Sequence, residues 1–200
     1  MLQRNRTGDA IANLERRAFH LVSGCLFPVL IFVLSREPVV ALAVVAVVAS
    51  LTLEVARWRS ATINHWFLAW FSVLLKKEES TRWLASTYLL IATLAAILLF
   101  DAHIAALALL FLAIGDPLAA LVGERFGRIR IGRKSLEGTL TFLGASLLVG
   151  GVLVAGGVEV SYSIALAGAA VAALVELMPL PTDDNLTVPL AAGGVMMALA

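Results

Sequence analysis

Apolar residues run in long unbroken stretches along this chain, and charged residues gather in the gaps between them. Seven stretches stand out, at 19–35, 38–55, 83–100, 103–122, 139–156, 163–178 and 186–200. Most are near the ~17–25 residues that a membrane-crossing helix needs, and the last is the shortest. Helix is the conformation required there, because hydrocarbon offers no partner to a bare backbone group. A further segment, 63–75, is apolar but too short to cross comfortably. Its Ile63, Trp66, Phe67, Trp70 and Leu74 recur at helical spacing, which predicts an amphipathic helix lying in the membrane interface. The expected fold class is all-α, a polytopic transmembrane helix bundle of about seven spans plus that interfacial helix. The pattern predicts one membrane-embedded domain over 19–200 after a polar segment over 1–18, with no long repeat. The glycine-rich tract 150–157 reads as close helix packing through small residues.

Composition agrees with this. Of 200 residues, 60% are hydrophobic, and the mean hydropathy is +0.95, whereas soluble domains are about 45–50% apolar. The single cysteine, Cys25, excludes a disulfide frame or a thiolate metal cluster. The net charge of +1 says little, but the positions of the charges set an orientation. Arg4, Arg6, Arg16 and Arg17 precede the first stretch. Arg57, Arg59, Lys76, Lys77 and Arg82 lie between the second and third. Arg125, Arg128, Arg130, Arg133 and Lys134 lie between the fourth and fifth. Of the 15 basic residues only Arg36 falls on the other side. The bias predicts an integral membrane protein with a cytoplasmic N-terminus and, with seven spans, an outer C-terminus. No nucleic-acid partner is expected, and the oligomeric state stays open.

Ionisable residues in or bordering apolar spans are costly and so are functional candidates. Under this topology His20, Glu54, Asp116, Glu137, Glu176, Asp183 and Asp184, with Asn185, all fall toward the cytoplasmic face. The outer Arg36, Glu37, Asp101, His103 and Glu159 read as solvated loop groups. Asp116 stands two turns inside its stretch, about 10 Å deep, and shares a helix face with Ala120, Gly123 and Gly127. Glu54 reads either as a solvated cap or as a partner for Arg57 or Arg59. His20 is either a headgroup-level residue or a catalyst.

Two connectors add chemistry. The first, 127–139, mixes glycines with cations. Ser135 is a plausible N-cap for the helix that follows, whose N-terminus with Lys134 suits a phosphate. Glu137 would repel a bare phosphate, so it reads as meeting a cation or taking a proton. The spacing is not a P-loop, since Arg133 intervenes before Lys134 and no strand is expected ahead of it. In the second connector, Pro179 and Pro181 end a helix, and Asp183, Asp184 and Asn185 offer hard oxygen ligands of the kind magnesium uses with phosphates. Cations for phosphates, carboxylates for a metal and an apolar bundle for a lipid suit phosphoryl or nucleotidyl transfer onto a membrane-embedded acceptor.

Several blocks together carry a resemblance. They are Gly115-Asp116-Pro117 with Ala120, Gly123 and Gly127; Lys134-Ser135-x-Glu137-Gly138; Glu176; and Asp183-Asp184-Asn185-Leu186 with Val188-Pro189-Leu190. They resemble the polyprenol kinase family, which includes dolichol kinases, phytol kinases and CTP-dependent diacylglycerol kinases. Arg17 with His20, Glu54 with Arg57, and Glu78 before Arg82 are similar to its pattern too, so the likeness covers about 16–190. It implies CTP as phosphoryl donor, magnesium, and a lipid alcohol as acceptor. It further implies that Asp116, Lys134, Glu137, Asp183, Asp184 and Asn185 belong to the nucleotide site, with Gly115, Gly123, Gly127, Ser135 and Gly138 around them. In that reading Asp183, Asp184 and Asp116 hold magnesium, Lys134 neutralises phosphate, and Glu137 or Glu176 orients or deprotonates the hydroxyl. Phosphatidate cytidylyltransferases share the Gly-Asp and Lys-x-x-Glu-Gly half, but their His-Gly-Gly and Asp-Arg-x-Asp segment is absent from this chain. A transporter would place polar groups along a path across the bilayer and usually shows repeated halves; neither is seen in the sequence.

Overall fold

Residues 104–113 are buried without interruption, and a helix apolar on every face belongs at the centre of a bundle. In the computed structural model this helix, α5, is the axis of the fold. The structure describes residues 6–71, 75 and 82–200, with side chains from Leu14 onward. Among them are helices α1 (Arg6–Val33), α2 (Arg36–Arg59), α3 (Ala61–Phe71), α4 (Ala85–Leu99), α5 (Ala102–Phe126), α6 (Leu136–Ala155), α7 (Tyr162–Leu177) and α8 (Asp184–Leu199). A two-stranded hairpin, β1 (Arg130–Ile131) and β2 (Lys134–Ser135), precedes α6.

Short connections make neighbours antiparallel, so successive helices pack side by side around α5, with α1, α6 and α8 its main partners. One core joins α5 to α6, α7 and α8 through Leu107, Phe111, Phe142, Ala172, Val188 and Met196. A smaller core joins α1, α2 and α4 through Phe27, Val39, Ala43 and Ile97. Small residues permit the close approaches: a Cβ on Gly115 would lie 2.8 Å from the Phe142 ring.

The outer helices show the opposite burial. The apolar window of α5 is 72% buried, but those of α1, α2 and α6 are 17%, 22% and 28% buried. Val22, Val45 and Leu148 face outward. Apolar surface this extensive needs a lipid or protein cover, and helices of this kind satisfy their own backbone within hydrocarbon. Four helices are long and apolar enough to cross a membrane: α1 from Leu14, α2, α5 and α6. The other three expected spans, α4, α7 and α8, form helices of 15, 16 and 16 residues. Each is about 22–24 Å long at 1.5 Å per residue, against a hydrocarbon core of ~30 Å. Length and composition therefore support four spans where the sequence pattern suggested seven. The segment expected to lie in the interface is α3, eleven residues long, with Trp66 and Trp70 exposed and Phe67 turned inward. At its start α1 runs back to Arg6, into the polar segment expected to precede the bundle.

The turns after α1, α4 and α6 share one end of the bundle. There Arg36 donates to the carbonyls of Ile97 (3.0 Å) and Leu98 (3.1 Å). Arg36, expected to be a solvated loop group, is exposed and in addition caps α4, whose last carbonyls lack helical partners. At the same end Glu159 N donates to His103 Nδ1 at 3.2 Å.

Candidate functional site

The opposite end is built around the hairpin. Gly132 begins its two-residue turn with φ 61°, a conformation that such turns require and a Cβ resists. Leu136 N donates to Ile129 O at 2.9 Å, and Arg130 Nη2 to Gly123 O at 3.2 Å, fastening the hairpin to the end of α5. The sequence reading expected no strand here; two residues per strand leave no periodicity to detect.

Ser135 is the N-cap of α6, its Oγ accepting from Gly138 N at 3.1 Å. It sits in a crevice lined by glycines. A Cβ on Gly123 would lie 2.8 Å from Ser135 Oγ, one on Gly127 would strike Gly123 O and Ser135, and one on Gly138 would lie 2.9 Å from Ala119 O. Packing of α5 against α6 thus accounts for Gly115, Gly123, Gly127 and Gly138, and the crevice sets where the hairpin lies. Glu137 turns back to the same loop. Its Oε1 accepts from Arg128 N (3.0 Å) and Ile129 N (3.3 Å), so both orphan amides and the carboxylate are satisfied at the helix N-terminus.

Held this way, Lys134 reaches across to α7 and α8. Its Nζ lies 2.7 Å from Asp184 Oδ2 and 3.0 Å from Glu176 Oε1, and also donates to the Glu176 carbonyl. Glu176 is 5% exposed and accepts from Thr139 Oγ1 at 3.2 Å. Burial pulls the ammonium's pKa down, but Asp184 and then Glu176 outweigh it and hold the pKa above the ordinary lysine value. Asp116 lies near enough for its charge to act on both carboxylates. At the mouth of α8 the N-cap is Asp183, whose Oδ1 accepts from Asn185 N (3.0 Å) and Asn185 Nδ2 (2.7 Å). All three residues are thereby engaged: Asp183 and Asn185 with each other, Asp184 with Lys134.

Beside this cluster a cavity of about 880 Å³ opens between α1, α2, α3, α4 and α5. Its walls include Phe19, Leu53, Phe67 and Leu90, and its polar residues include His20, Asp116, Arg133 and Asn185. A pocket with apolar walls and a few convergent polar groups is the usual form of a small-molecule site. The Asp116 side chain, expected to be buried from bulk water, is 40% exposed toward this space, with His20 Nε2 3.9 Å from its Oδ2. Arg17 pairs with Glu124 across α1 and α5, a contact that no sequence spacing signals.

The remaining candidates divide. Glu54 and Arg57 are 2% and 3% exposed and form an ion pair at 3.1 Å, so Glu54 partners Arg57 and not Arg59. Arg82 is exposed, and Glu78 lies outside the described residues. Among the described residues no three His, Cys, Asp or Glu side chains come together as a ready metal-ligand set. Asp183 and Asp184, adjacent at the start of α8, carry oxygens of the kind that magnesium takes together with phosphate and water.

These features define an all-helical protein with four helices long and apolar enough to cross a membrane and a polar cluster beside an apolar cavity at one end. Over 192 residues, 92% of this chain and 93% of the relative, it is 28% identical to an uncharacterized protein of Rickettsia prowazekii (strain Madrid E). Over 103 residues it is 43% identical to a phytol kinase of Synechocystis sp., covering 48% of this chain and 43% of that kinase. No family model matches the chain, and no solved structure matches it. The second relative supports a likeness to polyprenol and phytol kinases over about half of the chain.

Proposed function

We propose that this protein is a kinase that phosphorylates a membrane lipid alcohol at the cytoplasmic face, with CTP as donor and magnesium as the divalent ion. The observation that carries the reading is the cavity: its apolar walls end against Asp116, Arg133 and Asn185, next to Lys134. An alkyl chain fills the apolar part, and its hydroxyl then meets the polar end. The similarity to a phytol kinase supports a lipid alcohol as acceptor, and the motif resemblance supports CTP. All seven long helices cross the bilayer in this reading, the shorter α4, α7 and α8 with local thinning.

Phosphoryl transfer needs positioning and charge neutralisation more than covalent chemistry. Lys134 and Arg133 neutralise the donor's phosphates. Asp183 and Asp184 would hold magnesium, which supplies further charge neutralisation when bound. Asp116, a carboxylate at the polar end of the cavity, orients the acceptor hydroxyl. Glu176 keeps Lys134 charged and aimed, and Glu137 holds the loop that carries it. The hydroxyl oxygen forms a bond to the γ-phosphorus, the bond from that phosphorus to the bridging oxygen breaks, CDP leaves, and the hydroxyl proton passes to solvent or to Asp116.

Label transfer tests this. Membranes containing the protein are incubated with magnesium, a panel of lipid alcohols plus phosphatidate, and CTP labelled at the α or the γ phosphate. The expected result is γ label in one lipid alcohol. Label from the α position would instead establish a cytidylyltransferase, and no label in any lipid would overturn the enzymatic reading.

A further inference from the structure

The proposed reaction does not use the most deeply buried charges in the described part of the molecule. Glu54 and Arg57 sit in the last turns of α2 with almost no exposure. Each group of the pair is spent on a different helix. Glu54 Oε2 accepts from Arg57 Nη1 at 3.1 Å. Its Oε1 accepts from Leu84 N at 2.6 Å and from Thr87 Oγ1 at 3.2 Å. Leu84 is the N-cap of α4 and offers no side-chain cap of its own, so a carboxylate from α2 satisfies a donor that the helix start leaves unpaired. Arg57 Nε donates to Asn64 Oδ1 on α3 at 3.2 Å, and its guanidinium lies 4.6 Å from the centroid of the Phe67 ring, within cation–π range.

One ion pair therefore fixes α3 and α4 against α2. A buried pair of this kind rarely adds stability over apolar residues of the same volume, because both ions lose their hydration. What it adds here is direction. Apolar packing would hold three helices together, but it would not tie the first amide of α4 and the ring of Phe67 to fixed points on α2. Two of the tied residues, Phe67 and Leu84, are walls of the cavity, beside Ser50 and Leu53 from α2, Phe71 from α3 and Ser86 from α4. Ser50 is drawn into the same network, its Oγ 2.7 Å from Thr87 Oγ1.

We infer that the Glu54–Arg57 pair is a specificity-determining positioning element that sets the shape of the acceptor cavity, and so selects which lipid chain it accepts. This rests on the reading of the cavity as the acceptor site. Neither residue of the pair lines the cavity. The pair acts through Phe67 and Leu84, whose separation across the cavity it fixes.

The test uses the full-length protein in nanodiscs and a diazirine derivative of phytol as probe. Light-induced labelling is mapped to peptides. Phytol, farnesol, a long polyprenol and diacylglycerol then compete for the label. Wild type, Glu54→Gln and Asn64→Ala are compared. Asn64→Ala removes only the hydrogen bond from Arg57 to α3 and leaves the Phe67 contact and the Glu54 pair in place, so it serves even where Glu54→Gln fails to fold. In wild type the label is expected on the peptides carrying Phe67 and Leu84, with one competitor class dominant. In the variants the dominant competitor's advantage is expected to fall about fivefold to tenfold, with labelling spread to further residues. In the kinase assay the KM for the acceptor rises while the KM for CTP stays put. A merely structural role would lower the melting temperature and the active fraction and leave competitor ranking and both KM values unchanged; that result in Asn64→Ala overturns the inference. Wild-type label away from the Phe67 and Leu84 peptides overturns the cavity reading itself, and the inference with it.

Discussion

Lys134 Nζ and Asp184 Oδ2 are 2.7 Å apart although fifty positions separate them in the chain. The contact binds the hairpin before α6 to the first turn of α8, with Glu176 of α7 on the other side of the same ammonium. The cluster is one cation between two carboxylates, and it takes in three separate elements.

Removing the lysine has two expected effects. Lys134→Ala is expected to lower phosphoryl transfer by at least about 100-fold, the scale set by loss of one preorganised charge-stabilising group. Lys134→Met leaves Glu176 and Asp184 facing each other without their cation and is expected to destabilise the protein by about 2 kcal/mol. The pH dependence follows from the raised pKa of Lys134. Its stabilising contribution is fully present below the unfolded value of about 10.4. It is lost as pH rises through the higher folded value. Thermal unfolding of wild type and Lys134→Met in detergent, from neutral to strongly alkaline pH, checks this: the two curves should converge only at the alkaline end.

Asp116→Asn tests the cavity-facing carboxylate. The side chain is partly exposed and His20 Nε2 is 3.9 Å away, so the fold does not depend on its charge. Transfer is expected to fall by about 100-fold or more, with a melting temperature within a few degrees of wild type. Turnover at the wild-type rate would remove Asp116 from the site.

Glu137 separates loop support from chemistry. Its Oε1 accepts from both amides at 3.0 and 3.3 Å, with a longer contact from Ile129 N to Oε2 at 3.4 Å, and a glutamine carbonyl can accept the two shorter bonds. Glu137→Gln is expected to keep activity within about fivefold, whereas Glu137→Ala, which orphans two amides at about 1 kcal/mol or more each, should lose most of it. Equal, near-complete loss in both variants would show that the charge itself is needed.

Gly127→Ala is a test of the crevice around Ser135. The added methyl would strike Gly123 O and Ser135, and close-packed interiors do not absorb such an insertion; a cost of about 1–3 kcal/mol is expected. Because Ser135 neighbours Lys134, the surviving protein should also show a raised KM for CTP. Gly144→Ala, where a Cβ meets nothing within 4 Å, is the control and should leave both melting temperature and KM unchanged.

Much of the architecture is legible in the chain itself. Whether a segment can live in lipid is a local property of its side chains, so the seven apolar stretches reappear as α1, α2 and α4 to α8, and the Trp-bearing stretch as α3. Local chemistry likewise marks Ser135 as an N-cap, since the hydroxyl reaches an amide only three residues on. The gathering of polar residues at one end follows from helix alternation, which a count of reversals reveals.

Partnerships are another matter. Nothing around Arg36 announces that it caps a helix more than sixty residues away, and Glu137 carries no local sign that it serves the loop behind it and not a ligand. The glycines of α5 are equally suited in sequence to cradle a phosphate or to admit a neighbouring helix; only the position of Ser135 shows the second use. Glu54 offered Arg57 and Arg59 at similar spacing, and burial on one helix face chose between them. Composition and periodicity settle which segments are helical, because that free energy is summed residue by residue. Which side chains meet, and the cavity that their meeting leaves, depend on how α5 is packed by its neighbours, a many-body outcome carried by no single stretch of the chain.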